Sequence, residues 1–441
     1  MERLGIRDRI LIGVTLFSMF FGAGNLIFPP FLGAQAGTAA LPSFAGFAAS
    51  AVGVPVLGVI AVTLSGGLPK LASRVHPVFS AVYVAVLYLA IGPCLAIPRT
   101  ASTSFSMAVT PFLRGDAPSA LAQFAYSAVF FAAAAVIALH PERLTEYLGK
   151  KLTPILLTLI VVLFAASAAH PAGGAAAPAE AYGELPLVQG FLYGYQTMDT
   201  LAALNFGMIV AMNIQARGIR EEKRVMAETV SAGWIAGLLL LAVYAMLTYV
   251  GLVSGTAFPS AANGTEVLTH TAGYLFGNVG TVILAAIFVI ACFNTCVGLL
   301  SCCGNYFSGM WPRPGYRGWV FLFALVSMVI SNVGLDAILK VSEPVLNAIY
   351  PLAILLIALS CAHRLLARFP LVYPWAAGFC AAASILTVLD RQGLSVPALT
   401  AFLEKIPGHR AGFGWVLPTA AGILIGLAVG TGKRKIISHH R

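Results

Sequence analysis

Three short stretches place oxygen-bearing and helix-breaking residues inside runs of sequence that are otherwise apolar. The first is Gly22-Ala23-Gly24-Asn25, within the apolar run from Ile10 to Leu32. Two glycines and an asparagine are poor helix formers, and Pro29-Pro30 follow in the same segment. In hydrocarbon, non-helical backbone is tolerated only where it is buried in protein or lines a cavity. A helix broken at mid-depth supplies amide N–H groups on one side of the break and bare carbonyls on the other, which suits small ionic solutes. The competing reading is a glycine-rich packing face or a hinge.

The second stretch is Gly194-Tyr195-Gln196-Thr197-Met198-Asp199-Thr200, followed by Asn205. Asp199 is an acid in the interior of an apolar segment. A charge at the bilayer centre costs about 2.5–3.5 kcal/mol on insertion scales and is usually retained for a pathway or a pairing. The third stretch runs from Ala291 to Gly298. There Ala291, Asn294, Thr295 and Gly298 recur at i, i+3, i+4 and i+7 and share one helical face. Amide and hydroxyl oxygens between small residues can ligate a hard cation, with unwound carbonyls from a broken neighbour completing the shell. The plainer alternative is interhelical hydrogen bonding by Asn and Thr. Glu343, near the external end of a later segment, reads as an N-terminal cap rather than a proton relay.

Composition dictates what positions these residues. Of 441 residues, 59% are hydrophobic and only 10% charged. A soluble domain carries about 25% charged residues, so this is an all-α polytopic membrane protein. Twelve spans are expected, near 9–31, 41–65, 77–98, 118–139, 149–169, 186–215, 229–254, 276–308, 316–334, 340–361, 370–389 and 412–431. The net charge of +10 is topological rather than a sign of nucleic-acid binding. With both termini on one side, 20 of the 26 Lys and Arg fall on that side. The six on the other are Arg99, Arg114, Lys340, Arg391, Lys405 and Arg410. Cytoplasmic termini follow. The segment from Ser254 to Tyr274 is then external, and its amphipathic piece from Glu266 to Leu275 reads as a loop or as a short helix over a vestibule.

The seven cysteines lie mostly in apolar segments, so no disulfide is expected. Cys292 and Cys296 read as small apolar residues rather than metal ligands. A broken first and a broken sixth span occupy equivalent places if the fold repeats every five helices. Five is odd, so the second copy would be inverted.

Several motifs carry a family resemblance. They are Asp8-Arg9-Ile10, the run from Phe20 to Pro30, Gly194 to Asp199 with Leu201-Ala202-Ala203-Leu204, and Cys303-Gly304-Asn305-Tyr306-Phe307. Together they resemble the branched-chain amino acid:cation symporter family of the amino acid–polyamine–organocation superfamily, over almost the whole chain. The resemblance implies a LeuT-type 5+5 inverted repeat with broken helices 1 and 6 and two extra helices. The chain is then a single transporter domain over 1–441, with repeats near 9–170 and 186–361 and helices 11 and 12 near 370–431. It further implies sodium-coupled import of leucine, isoleucine and valine across a bacterial inner membrane. Sodium would be the coupling ion, with no other cofactor, and membrane lipid the surroundings.

By motif, sodium would be held by carbonyls of Ser18, Phe21 and Ala291 and by the side chains of Asn294 and Thr295. The family more often has a hydroxyl residue where Asn294 stands. Substrate contacts are expected from Phe20, Phe21, Gly22, Gly24, Asn25, Tyr195, Thr197, Met198, Asp199 and Phe293. A zwitterion's carboxylate suits the amides near Gly24 and Asn25, and its ammonium suits carbonyls near Phe20 and Tyr195 or the Asp199 carboxylate. The rival readings are a proton-coupled carrier of another small neutral amino acid that titrates Asp199, a channel, and an intramembrane enzyme. The last lacks any HExxH or GxSxG signature.

Overall fold

Backbone N–H and C=O groups in hydrocarbon have no water to pair with, and helices satisfy them within one segment. The computed structural model follows that rule. It describes residues 4–113, 120–394, 397–403, 405–409 and 411–439, and these form helices joined by short turns, with no strand among them. Arg3, Arg114, Arg410 and Arg441, counted above, lie outside the described residues.

Helix occupies each of the twelve ranges expected from the sequence. By length and composition, eight helical runs among the described residues can cross a membrane, and one bent pair makes a ninth. The numbers differ for a physical reason. The run Ala23–Ser65 covers the C-terminal part of the first expected span and all of the second, and Gly315–Ser331 and Val416–Val429 are shorter apolar helices.

Contacts divide the chain into two units. The first comprises Met1–Ile60 with Tyr88–Val341, and the second Ala61–Leu87 with Ser342–Arg441. The first unit contains α1 (Ile6–Phe20), α2 (Ala23–Ala36), α3 (Ala40–Ala48) and α4 (Ala96–Ala108). It continues with α5 (Ala120–Ala138), α6 (Thr153–Ala169), α7 (Pro186–Gly194) and α8 (Asp199–Gln215). It closes with α9 (Glu222–Leu252), α10 (Gly264–Phe276), α11 (Asn278–Met310) and α12 (Gly315–Ser331). In the second unit, α13 (Val372–Arg391) packs along α14 (Val416–His439), where a Cβ on Gly422 would lie 2.7 Å from the Trp375 carbonyl oxygen.

Lipid tails are as apolar as leucine, so these helices associate through close packing and polar contacts rather than by leaving water. Small residues set the closest approaches. A Cβ on Gly46 of α3 would lie 1.9 Å from the Leu187 carbonyl oxygen of α7, and one on Gly190 would lie 1.9 Å from that of Ser43. The two backbones therefore touch.

The unbroken α9, 31 residues and about 46 Å long, braces both halves of the interrupted first helix. At one end the Arg9 guanidinium of α1 grips the Glu228 carboxylate with two bonds of 2.7 Å. At the other, the Gly33 and Gly251 backbones bring α2 onto α9.

The amphipathic segment beyond Ser254 forms α10. Asn263 caps it, its side chain accepting the Thr265 and Glu266 amides at 3.0 and 3.1 Å. Glu343 does not cap its helix: that helix begins well before it, at Leu335, and the Glu343 side chain is exposed.

Candidate functional site

Helix α1 stops at Phe20. Phe21 is extended (φ −74°, ψ 92°), Gly22 is extended too (φ −125°, ψ −154°), and α2 starts at Ala23. In a continuous helix the Gly22 amide would bond the Ser18 carbonyl. Here it donates to Asn25 Oδ1 at 2.9 Å. The break thus leaves the Ser18 carbonyl without its usual donor, while the first amides of α2 begin a new helix end. The chain needs glycine at position 22 because a Cβ there would lie 2.6 Å from Thr295 Oγ1.

The sixth segment breaks differently. Helix α7 ends at Gly194, Tyr195–Thr197 form a 3₁₀ turn, and Met198 takes a left-handed conformation (φ 66°, ψ 8°) before α8. The two halves meet at 45°. Among the described residues, Met198 is the one non-glycine with positive φ. Such a conformation costs on the order of 1–3 kcal/mol and persists where its surroundings hold it. The Met198 amide bonds the Tyr195 carbonyl at 3.1 Å, its carbonyl accepts from Ala202 at 3.0 Å, and Thr197 Oγ1 donates to the Gly194 carbonyl at 2.9 Å.

The two breaks are joined by side chains. Asn25 Nδ2 reaches both oxygens of Asp199, at 2.9 and 2.8 Å, and also contacts the Tyr244 hydroxyl. Tyr244, on α9, donates to Asp199 Oδ2 at 2.5 Å. Asp199 is 1% exposed. A carboxylate at membrane depth, carried by α8, is thus held by one residue from each of two other helices, Asn25 of α2 and Tyr244 of α9.

On α11 the oxygen-bearing face runs along α1. Thr295 meets Gly22, and a Cβ on Gly298 would lie 3.0 Å from Met19 Cγ. The buried Ser18 Oγ, Asn294 Oδ1, Asn294 Nδ2 and Thr295 Oγ1 have no hydrogen-bond partner. Buried polar groups are normally paired, so several unpaired ones near one helix break need a cause. Three oxygens with a freed carbonyl can hold a small hard cation.

A small cavity lies between the breaks, lined by Phe20, Gly22, Asn25, Thr197, Met198, Asp199 and Thr295 of the expected set. Gly24 adjoins Phe28 and Thr197. Phe21 does not line it but packs its ring on Phe17, with centroids 5.2 Å apart. Tyr195 packs on Phe191 at 5.5 Å.

Phe293 is placed elsewhere. It meets Phe130 edge to face and lines a separate cavity with Ile137 and Tyr147. Phe293 precedes Asn294 and Thr295 by one and two positions, about 100° and 200° around the helix, so it turns away from the face those two share.

Two site residues escaped the sequence reading. Tyr244 sits in an apolar run with no local signal. Arg99 was assigned to an external loop, and this is corrected: it lies in α4, 4% exposed, on the cavity wall. The apolar run does not end at residue 98 but continues to Phe112. The missed signal was Gly92-Pro93. Gly92 is non-helical (φ −89°, ψ −125°) and α4 restarts at Ala96, so Pro98 falls in a first helical turn, where a missing N–H costs little.

Discontinuous helices around a buried polar cavity define a class of membrane transporter, and solved structures share the fold. MHP1, a nucleobase-cation-symport-1 family transporter in a closed conformation with bromovinylhydantoin bound, aligns with a TM-score of 0.59 at 13% identity, over 95% of this chain and 91% of its own. MhsT in complex with L-phenylalanine aligns with a TM-score of 0.52 at 16% identity, over 98% and 100%. The sequence is more specific. Residues 6–433 match the family described as branched-chain amino acid transport protein, and the chain belongs to that family.

Among its relatives, the branched-chain amino acid permease BraB of Bacillus subtilis is 40% identical over 96% of this chain and 95% of its own. The branched-chain amino acid transport system 2 carrier protein of Pseudomonas aeruginosa is 37% identical over 95% of each. The permease BrnQ of Escherichia coli K12 is 36% identical over 97% of this chain and 96% of its own. The protein is therefore a multi-pass membrane transport protein and not an enzyme.

Proposed function

We propose that this protein imports leucine, isoleucine and valine by sodium symport, exposing one central site to each side of the membrane in turn. The supporting observation is the set of buried, unpartnered oxygens of Ser18, Asn294 and Thr295 beside the break in the first helix. With the carbonyls of Ser18, Phe21 and Ala291 they make a shell for one sodium ion. Sodium there would bridge α1 and α11, and would favour the arrangement of Gly22 and Asn25 that the substrate meets. Two ligands that favour one conformation raise each other's affinity, which is how a sodium gradient drives the amino acid.

In this reading the substrate lies between the breaks. Its apolar tail faces Phe20, Met198 and neighbouring aliphatic side chains, and its ammonium faces Asp199. The architecture is twelve spans in an inverted 5+5 repeat with two further helices, in the inner membrane, with both termini cytoplasmic. The test is competition for labelled leucine uptake in proteoliposomes. Valine and isoleucine are expected to compete. Lysine and glutamate are not, because an apolar pocket makes a charged tail costly to bury. Inhibition by lysine as strong as that by valine refutes the substrate assignment.

A second reading rests on the Asn25–Asp199–Tyr244 cluster. A buried carboxylate bonded to a phenol is also a place to carry a proton, and proton coupling would use Asp199. Leucine uptake driven by a pH gradient in the absence of sodium supports that alternative.

A further inference from the structure

Phe293 does not reach the cavity between the breaks, and what it lines instead has a chemistry of its own. With Val289 and Ile290 of α11 and Ile137 of α5 it walls a cleft of about 290 Å³. Leu152 completes the wall from the π-helical stretch Thr145–Leu152, which leads into α6. Val136 and Ile155, beside these residues on α5 and α6, are exposed, so the cleft opens onto hydrocarbon. A water molecule needs about two to four polar partners to settle in a cavity, and this wall is apolar. A hydrocarbon chain fits it. The volume lies near the bottom of the range for small-molecule pockets, about 300 Å³, which is room for part of one acyl chain and not for a whole lipid.

One end of the cleft is polar. Tyr147 and Lys151, four residues apart in the π-helical stretch, line it there, with the Lys151 ammonium 5.9 Å from the centre of the Tyr147 ring. Lys151 is exposed and makes no ion pair or hydrogen bond among the described residues. Neither acid of the same stretch, Glu142 or Glu146, pairs with it, and the exposed Arg143 and Lys150 add positive charge nearby. In the topology proposed above, these residues stand at the cytoplasmic surface. Anionic lipids lie there, and tyrosine and lysine favour the headgroup level.

From this we infer that the cleft binds an anionic phospholipid, with one acyl chain along Val289, Ile290 and Phe293 and the phosphate against the Lys151 ammonium. The inference goes beyond the transport reading and does not depend on which ion drives transport. A chain in a concavity between three segments touches protein on several sides, and so gains more contacts than a chain on a convex helix face. The cation stands at the mouth of the same concavity, so one molecule satisfies both. The cleft also lies behind the transport site. The π-helical stretch packs on α1, where a Cβ on Gly149 would lie 3.2 Å from the Leu11 carbonyl oxygen, and α11 packs on α1 at Gly298. A lipid in the cleft therefore joins two elements that both brace the first helix.

Photo-crosslinking of the full-length protein in phosphatidylcholine nanodiscs tests this. The discs are doped with phosphatidylglycerol or phosphatidylcholine carrying a diazirine near the end of one acyl chain, and the labelled peptides are mapped. Phosphatidylglycerol is expected to label the stretch Val289–Phe293 about fivefold more than phosphatidylcholine does, the worth of one lysine beside an anionic headgroup. The exposed Phe321 and Leu325 of α12, away from the cleft, should show no such preference. Lys151→Gln changes an exposed side chain and should abolish the preference while leaving the phosphatidylcholine label as it was; Lys151→Arg should keep it. Val289→Phe fills the cleft and should lower labelling of Ile290 and Phe293 by both lipids.

Equal labelling of the cleft by the two lipids in the wild type overturns the inference, and so does a preference that survives Lys151→Gln. Labelling that Val289→Phe leaves unchanged overturns it too, since the chain would then lie outside the cleft. Inorganic phosphate should displace the phosphatidylglycerol label no better than chloride at equal ionic strength. Displacement by phosphate alone would make this a site for the free anion and overturn the lipid assignment.

Discussion

Thr295→Val separates a ligating hydroxyl from a structural one. Thr295 Oγ1 is buried, makes no hydrogen bond, and sits against the Gly22 backbone where the first helix is broken. Valine has nearly the same shape, so the substitution removes an oxygen and little else. No protein hydrogen bond is lost. A buried hydroxyl without a partner costs about 1–3 kcal/mol of desolvation, so stability without sodium should stay level or rise. In sodium the balance reverses. The ion loses one of its proposed ligands, a loss of about 1–3 kcal/mol, which is about 5- to 150-fold in sodium affinity at 1.4 kcal/mol per decade.

Thermal unfolding of the purified protein reads both effects. In choline chloride the variant should melt at or above the wild-type temperature. On titration with sodium, its stabilisation should follow the same binding curve moved to higher concentration. The sodium requirement for half-maximal leucine uptake should move in parallel. An unchanged sodium curve refutes the assignment. So does a lower melting point in choline, since that would mean the hydroxyl makes a structural bond. Asn294→Ala should show the same shift in sodium dependence.

Three other outcomes follow from the packing and topology. Cysteine at Ala262, an exposed residue just before the α10 cap, should react with an impermeant thiol reagent added outside intact cells, and labelling only from inside would invert the topology. Gly190→Ala places a Cβ 1.9 Å from the Ser43 carbonyl oxygen, so the α3–α7 contact must open, and the melting temperature should fall by the equivalent of at least about 1–3 kcal/mol. Arg9→Gln strips the buried Glu228 of its bidentate partner and should destabilise by about 1–2 kcal/mol; Glu228→Gln in the same chain should recover part of that loss in a double-mutant cycle.

What could be read from the sequence depended on whether its signal was local. The break at Gly22–Asn25 was legible because glycine and asparagine interrupt an apolar run, and interruption is a property of neighbouring residues. The Asn294–Thr295 face was legible because helical spacing alone puts those residues on one side. The amphipathic pattern from Glu266 to Leu275 left a loop and a short helix both open, and the structure forms α10 there. Tyr244 was not legible: its hydroxyl matters only because folding brings it to Asp199, 45 residues away in the chain. Arg99 was misplaced because Pro98 followed by a cation looks like the end of a span. The pattern that explains it, a Gly-Pro break with a helix restarting beyond, is the same device that was recognised in the first segment. Phe293 was misassigned by proximity in sequence to Asn294, whereas the helix turns it towards Phe130.

The central claim is that sodium moving down its gradient drives branched-chain amino acids through this site. Labelled leucine uptake into proteoliposomes containing the purified protein tests it most directly, with an inward sodium gradient, with equal sodium on both sides, and with sodium replaced by choline. The account predicts transient accumulation above equilibrium only with the gradient, equilibration without it, and little uptake in choline. Accumulation in choline driven by an inward proton gradient, with no response to sodium, would contradict it.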